Sequence, residues 1–197
     1  MTEGRLAEAE LLLTSMDEIA TKHRESWTVT RLMAGLTMAL LHRPAEAAQC
    51  WTLSTKCGYG QGTRMEFDGW FQIFVASVAL GLSVPDWEAG LIQMRKKWDT
   101  TTSVDGAVIA DLLLDKLSIA EAMDTFQAEY ARAKTGSQLL KRDEWMLRFY
   151  SAFLQYYFDE IPKAALCRRI TTLSRQSTPE LTFEFVFARN FGRLDRV

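Results

Sequence analysis

Apolar residues recur at three-and-four spacing along most of the chain. Val29, Leu32, Met33, Leu36 and Leu40 make one stripe, and Phe67, Trp70, Phe71, Phe74, Val75 and Val78 a second. Trp87, Leu91, Met94 and Trp98 make a third, and Ile119, Met123, Phe126 and Tyr130 a fourth. This is the period of amphipathic helices that bury one face. Capping residues bracket the stripes. Pro44 sits in a first turn, Ser83 and Pro85 precede the Trp87 stripe, Ser118 precedes Ile119, and Gly136 can end the helix that Ile119 opens. Thr178-Pro179-Glu180 reads as a cap, a first-turn proline and an acid favoured by the helix dipole.

One segment departs from this period. Leu181, Phe183, Phe185 and Phe187 alternate with Thr182, Glu184 and Val186, as strand residues do. A lone strand would leave its backbone groups without partners. A helix instead aligns Phe183, Phe187 and Phe191, and helix is the expectation.

Four stretches share a helix end, a short turn and a new helix opening with small residues: LLHRPAEAAQCW, LGLSVPDWEAGL, LDKLSIAEAMDTF and YYFDEIPKAALCR. Aligned on Ala47, Ala89, Ala122 and Ala164, they lie 42, 33 and 42 residues apart. These are helical-hairpin lengths, and an alanine at such a position lets two helices approach closely. The uneven spacing favours a compact bundle over a regular solenoid. The expected fold is all-α, about ten helices arranged as stacked hairpins in a single domain over 1–197. If the chain is divided anywhere, the boundary falls near 58–64, at Gly58-Tyr59-Gly60-Gln61-Gly62, separating 1–57 from 65–197.

Composition narrows the function classes. A chain of 197 residues buries on the order of 70% of its surface on folding, enough for a core without staples. The formal net charge of −2 gives no basic excess of the kind that phosphate contacts require, so direct nucleic-acid binding is not expected. Cys50, Cys57 and Cys167 form no disulfide-scaffold spacing, and the acids in MTEGRLAEAELLL do not suit a signal peptide. The longest apolar stretch, Ile73 to Leu82, is far short of a membrane span. A cytoplasmic protein is expected.

Candidate chemistry is sparse. Asp111 and Asp115 stand four apart, a spacing that places both carboxylates on one helix face. Such a pair can hold Mg²⁺ in helical enzymes that use a second acidic motif, and none is present here. Otherwise the pair is a solvated face, slightly unfavourable to its own helix and therefore open to a binding role. Cys50, Cys57, His23 and His42 do not have zinc spacing, and the glycine-rich loop follows a helix where a phosphate-cradling loop would follow a strand. No nucleophile–base signature occurs. No catalytic residue, metal ligand or cofactor is assigned. From Trp145 to Phe158 the aromatic residues Trp145, Phe149, Tyr150, Phe153, Tyr156, Tyr157 and Phe158 cover more than one helix face. They form either a central buried helix or a partly exposed anchor of an interface. Arg168-Arg169 with Lys163 reads as a solvated basic face.

From about Met65 onward the order of features resembles the PoNi-type immunity family, which neutralises DNase toxins of bacterial secretion and contact systems. WFQIFVASVALGLSVPDWEAGLI, with Asp105 and Leu112-Leu113-Leu114, is similar to its central helices. RFYSAFLQYYFDEIPKAAL is similar to its aromatic segment, and FEFVFARNFGRLDR to its closing segment. The resemblance implies a non-catalytic protein that binds a cognate protein toxin, a nuclease in that family, in a stoichiometric complex. The partner-binding residues expected on this reading are Asp111, Asp115 and Glu184 for charge, and Tyr150, Tyr156 and Tyr157 as anchors. A helical-repeat adaptor or chaperone is the alternative, and a Mg²⁺-dependent helical enzyme built on Asp111 and Asp115 ranks third.

Overall fold

The computed structural model describes residues 5, 7–9, 11, 12, 14, 15, 28–56, 65–97, 104–133, 137–176 and 183–194. The described residues between 5 and 15 are helical (α1). After them come α2 (Thr28–Leu40), α3 (Pro44–Ser54), α4 (Met65–Leu80), α5 (Trp87–Lys97) and α6 (Val104–Leu113). The last four are α7 (Ile119–Ala133), α8 (Ser137–Tyr157), α9 (Lys163–Ser174) and α10 (Phe183–Leu194). No strand occurs among the described residues. The Phe183–Phe187 segment is helix, and Phe187 meets Phe183 and Phe191 with ring centroids 6.1 and 5.8 Å apart. His23, Cys57, Gly58–Gly62, Trp98, Gly136, Thr178–Pro179 and Leu181 lie outside the described residues.

Local chemistry explains where the helices start. Pro44 opens α3, a position where its missing N–H costs nothing. The cap of α5 is Asp86, whose Oδ1 accepts the Ala89 N–H at 3.1 Å. At α7, Ser118 Oγ accepts the Glu121 N–H at 3.3 Å while Glu121 Oε2 accepts the Ser118 N–H at 2.8 Å, a reciprocal capping box.

The helix ends follow a common rule. His42, Asp115 and Asp159 take left-handed φ values of 60°, 56° and 57°. In each case that residue's N–H reaches the carbonyl three back, and the next N–H the carbonyl five back. Gly81, at φ 60°, turns the chain in a wider loop. One consequence corrects the sequence reading: α6 stops at Leu113, so Asp115 is a turn residue and does not share a helix face with Asp111.

The repeat also has a different register. Ala47 and Ala122 are fully buried, but Ala89 and Ala164 are exposed. Counted from each helix's first residue, the buried fourth positions are Ala47, Gly90, Ala122 and Leu166. Close approach in α5 falls on Gly90, where an added Cβ would lie 2.2 Å from the Trp70 ring. In α2 the same role falls to Gly35, which faces Trp51. The Trp51 indole N–H donates to the Leu32 carbonyl at 3.1 Å and joins α2 to α3.

The helices do not stack only on their neighbours in sequence, as solenoid repeats would. Helix α8 touches α4, α6, α7 and α9, while α4 touches α2, α3, α5, α6 and α8. Helix α10 packs on both α9 and α2, bringing the last helix against an early one. Contacts of α4 with α2 and α3 run across the 58–64 region. Two polar clasps fix α8. Asp143, fully buried, accepts from Tyr130 Oη of α7 and from Arg142 Nε at 2.7 Å. The Trp145 indole donates to the Leu173 carbonyl of α9 at 3.1 Å.

Candidate functional site

The six residues expected to meet a partner fall in three different places. Tyr150 and Glu184 are 0% and 1% exposed, so both belong to the core and neither reaches the surface. Tyr150 Oη donates to Glu184 Oε1 at 2.7 Å and accepts from Gln72 Nε2 at 3.3 Å. This network satisfies polar groups that burial would otherwise penalise, apart from Gln72 Oε1, which has no partner among the described residues. Asp111 is 18% exposed and is held by Arg95 Nε of α5 at 2.9 Å and by Lys116 Nζ at 3.7 Å. It ties α5 to the end of α6.

Tyr156 and Tyr157 end α8, and Asp115 shares a cavity with the next residue, Phe158. The aromatic helix resolves into both of its sequence-level readings, one after the other. Trp145, Phe149, Tyr150 and Phe153 are buried, Tyr156 is half-buried, and Tyr157 and Phe158 are 46% and 50% exposed. Tyr157 is not a loose side chain, because its ring sits edge-on to Trp87 at 5.7 Å and to Phe158 at 5.2 Å. Phe158, Asp115, Glu160 and Ile119 share the wall of a small cavity of about 200 Å³ between the α6–α7 and α8–α9 turns.

Next to this cavity, and sharing Ile119, Ser151 and Gln155 with it, runs a groove of about 420 Å³ between α8 and α9. Helical spacing builds its walls. Arg148, Ser151, Ala152 and Gln155 fall on one face of α8, while Arg169, Thr172 and Leu173 fall on the facing side of α9 and Gln176 follows in the turn after it. Ile119, at the first turn of α7, is 39% exposed at one end. Arg148, Arg168 and Arg169 are exposed, and among the described residues no acidic side chain lines the groove. None of the three forms an ion pair with a described residue. Arg169 donates to Gln155 Oε1 and is thereby held over the groove.

The sequence reading missed this site. It took Arg168-Arg169 as a solvated face and did not single out Arg148. Only their arrangement on two facing helices brings the three together. The available signal was the spacing of 148, 152 and 155 against 169 and 173, which fits two facing helical stripes. Among the described residues no group of three or more His, Cys, Asp or Glu could hold a metal ion, and no helix is long and apolar enough to cross a membrane. Comparison of the chain with protein-family models, with curated proteins and with solved structures found no match.

Proposed function

We propose that this protein is a non-catalytic immunity protein that binds a cognate protein toxin in the cytoplasm and neutralises it by forming a stoichiometric complex. The observation that carries the reading is the arginine-lined α8–α9 groove, with Phe158 exposed in the adjoining cavity and Tyr157 exposed at the end of α8. Arginine is among the residue types most often found as interface anchors, and here three arginines border a concave surface on rigid helices. The likeness of the segments from Met65 onward to the PoNi-type family supports the toxin as the class of partner.

An adaptor or chaperone that holds a helical segment is a second reading, favoured by the open groove between two helices. A Mg²⁺ enzyme is not proposed, because Arg95 and Lys116 engage Asp111, and Asp115 lies outside the helix.

Co-expression separates the first two readings. If the protein encoded beside this gene is a toxin, cells producing it should survive only when this chain is present, and the two products should co-elute. Tyr157→Ala should weaken the complex by about 2 kcal/mol or more, as for a true anchor. A harmless neighbouring product, or a toxic one that forms no complex with this chain, would remove the immunity reading.

A further inference from the structure

We propose that the α8–α9 groove receives an acidic segment of a protein partner, with an apolar side chain of that segment lying on Leu173, Ala152 and Ile119. The inference rests on the reading of this chain as a protein-binding protein and gives that partner a chemistry.

Charge is the first support. The chain as a whole carries a formal net charge of −2, yet Arg148, Arg168 and Arg169 converge on a groove that no acid among the described residues lines. Three guanidinium groups gathered in this way repel one another, and a carboxylate-bearing ligand relieves that repulsion. The floor is the second. It consists of aliphatic surface, with Ile119 39% exposed, and a simple anion would gain nothing from it. A segment that alternates acidic and apolar positions satisfies both the walls and the floor.

The same geometry argues against two other occupants. A nucleic acid tracking the groove would run into Asp115 and Glu160 in the adjoining cavity, and the groove floor offers no aromatic platform for a base. A second copy docking groove to groove would bring arginine against arginine. An acidic helix or extended segment needs no base platform, and it avoids Asp115 and Glu160 if its acids end at the arginines and only its apolar side reaches Ile119. Two packed helices leave between them the kind of channel that takes an amphipathic helix.

The test uses the full chain and synthetic probes, read by fluorescence anisotropy. The first probe is a labelled helix-forming peptide of about five turns, with glutamates on one face and leucines on the other. The second replaces the leucines with alanine, the third replaces the glutamates with lysine, and the fourth is a short DNA duplex. The first probe should bind at least about tenfold more tightly than any of the others, and more weakly as salt rises from about 50 to about 300 mM. Arg148→Glu with Arg168→Glu and Arg169→Glu should abolish that binding while leaving the helical spectrum intact, and the milder Arg→Gln triple should weaken it. Lys56→Glu with Lys96→Glu, on exposed sites elsewhere, should leave it unchanged. The proposal is overturned if the first probe does not bind, if all arginine variants bind it as the parent does, if the duplex binds more tightly, or if the chain dimerises through these arginines. A bound acidic peptide together with failure of toxin protection would leave the groove standing and remove the immunity reading. Protection without peptide binding would do the reverse.

Discussion

Tyr150 of α8 donates its hydroxyl hydrogen to Glu184 of α10 at 2.7 Å in the middle of the core, and the same oxygen accepts from Gln72 of α4. Three helices therefore meet at one phenol. Tyr150→Phe keeps the ring's packing against Phe71 and Phe149 but deprives two buried groups of a partner. The expected cost is about 1–3 kcal/mol, read as a melting temperature lower by roughly 2–4 °C per kcal/mol. Affinity for the partner should be unchanged. A variant with the parent's melting curve and lost binding would return Tyr150 to the interface.

The corrected repeat register separates two substitutions that the sequence alone treats alike. Ala122→Leu forces extra volume into a fully buried contact and should cost about 1–3 kcal/mol. Ala89→Leu, on an exposed face of α5, should change stability by no more than about 0.5 kcal/mol. Equal effects in urea denaturation would contradict the register.

Ser118→Ala removes the cap of α7 and should cost about 1 kcal/mol. Glu121, its partner, adds a pH dependence. The Ser118 backbone N–H, and then the Ser118 hydroxyl, hold the Glu121 carboxyl below its ordinary value of 4.5. A depressed acid stabilises the fold above its unfolded pKa, and that contribution disappears as pH falls through the folded value. The gap in melting temperature between the parent and Glu121→Gln should therefore be present at neutral pH and shrink as pH drops below 4.5. A gap that widened in acid would be the wrong sign.

Asp115 and Asp159 occupy left-handed positions that glycine takes more easily. Asp115→Gly and Asp159→Gly should each stabilise by up to about 1 kcal/mol in thermal melts, offset in part by the greater freedom of glycine in the unfolded chain. Destabilisation by either would mean that its carboxylate makes a contact the turn depends on.

Much of the fold is legible in the sequence, because helical periodicity and caps are local. The stripes through Leu32, Phe71 and Phe126, the Pro44 and Ser118 starts and the helical reading of Phe183–Phe187 all follow from spacing within one element. What spacing cannot show is where a helix ends without glycine or proline. Asp115 closes α6 in a left-handed turn, so two acids four apart do not share a face. Nor does periodicity reveal which residues of an aromatic helix another helix covers. Tyr150 is sealed beneath α4 and α10 while Tyr157, two turns on, stays half in solvent. The arginine groove is a property of two helices together, and neither displays it alone.

Stoichiometric capture, as against chemical inactivation, is the centre of this account, and titrating the toxin's activity with this protein tests it most directly. With the toxin domain held well above the dissociation constant, activity should fall in proportion to added protein, reach its floor at one equivalent, and return when the complex is dissociated. Full and lasting inactivation by a small fraction of an equivalent would mean that the protein turns over, and would contradict the account.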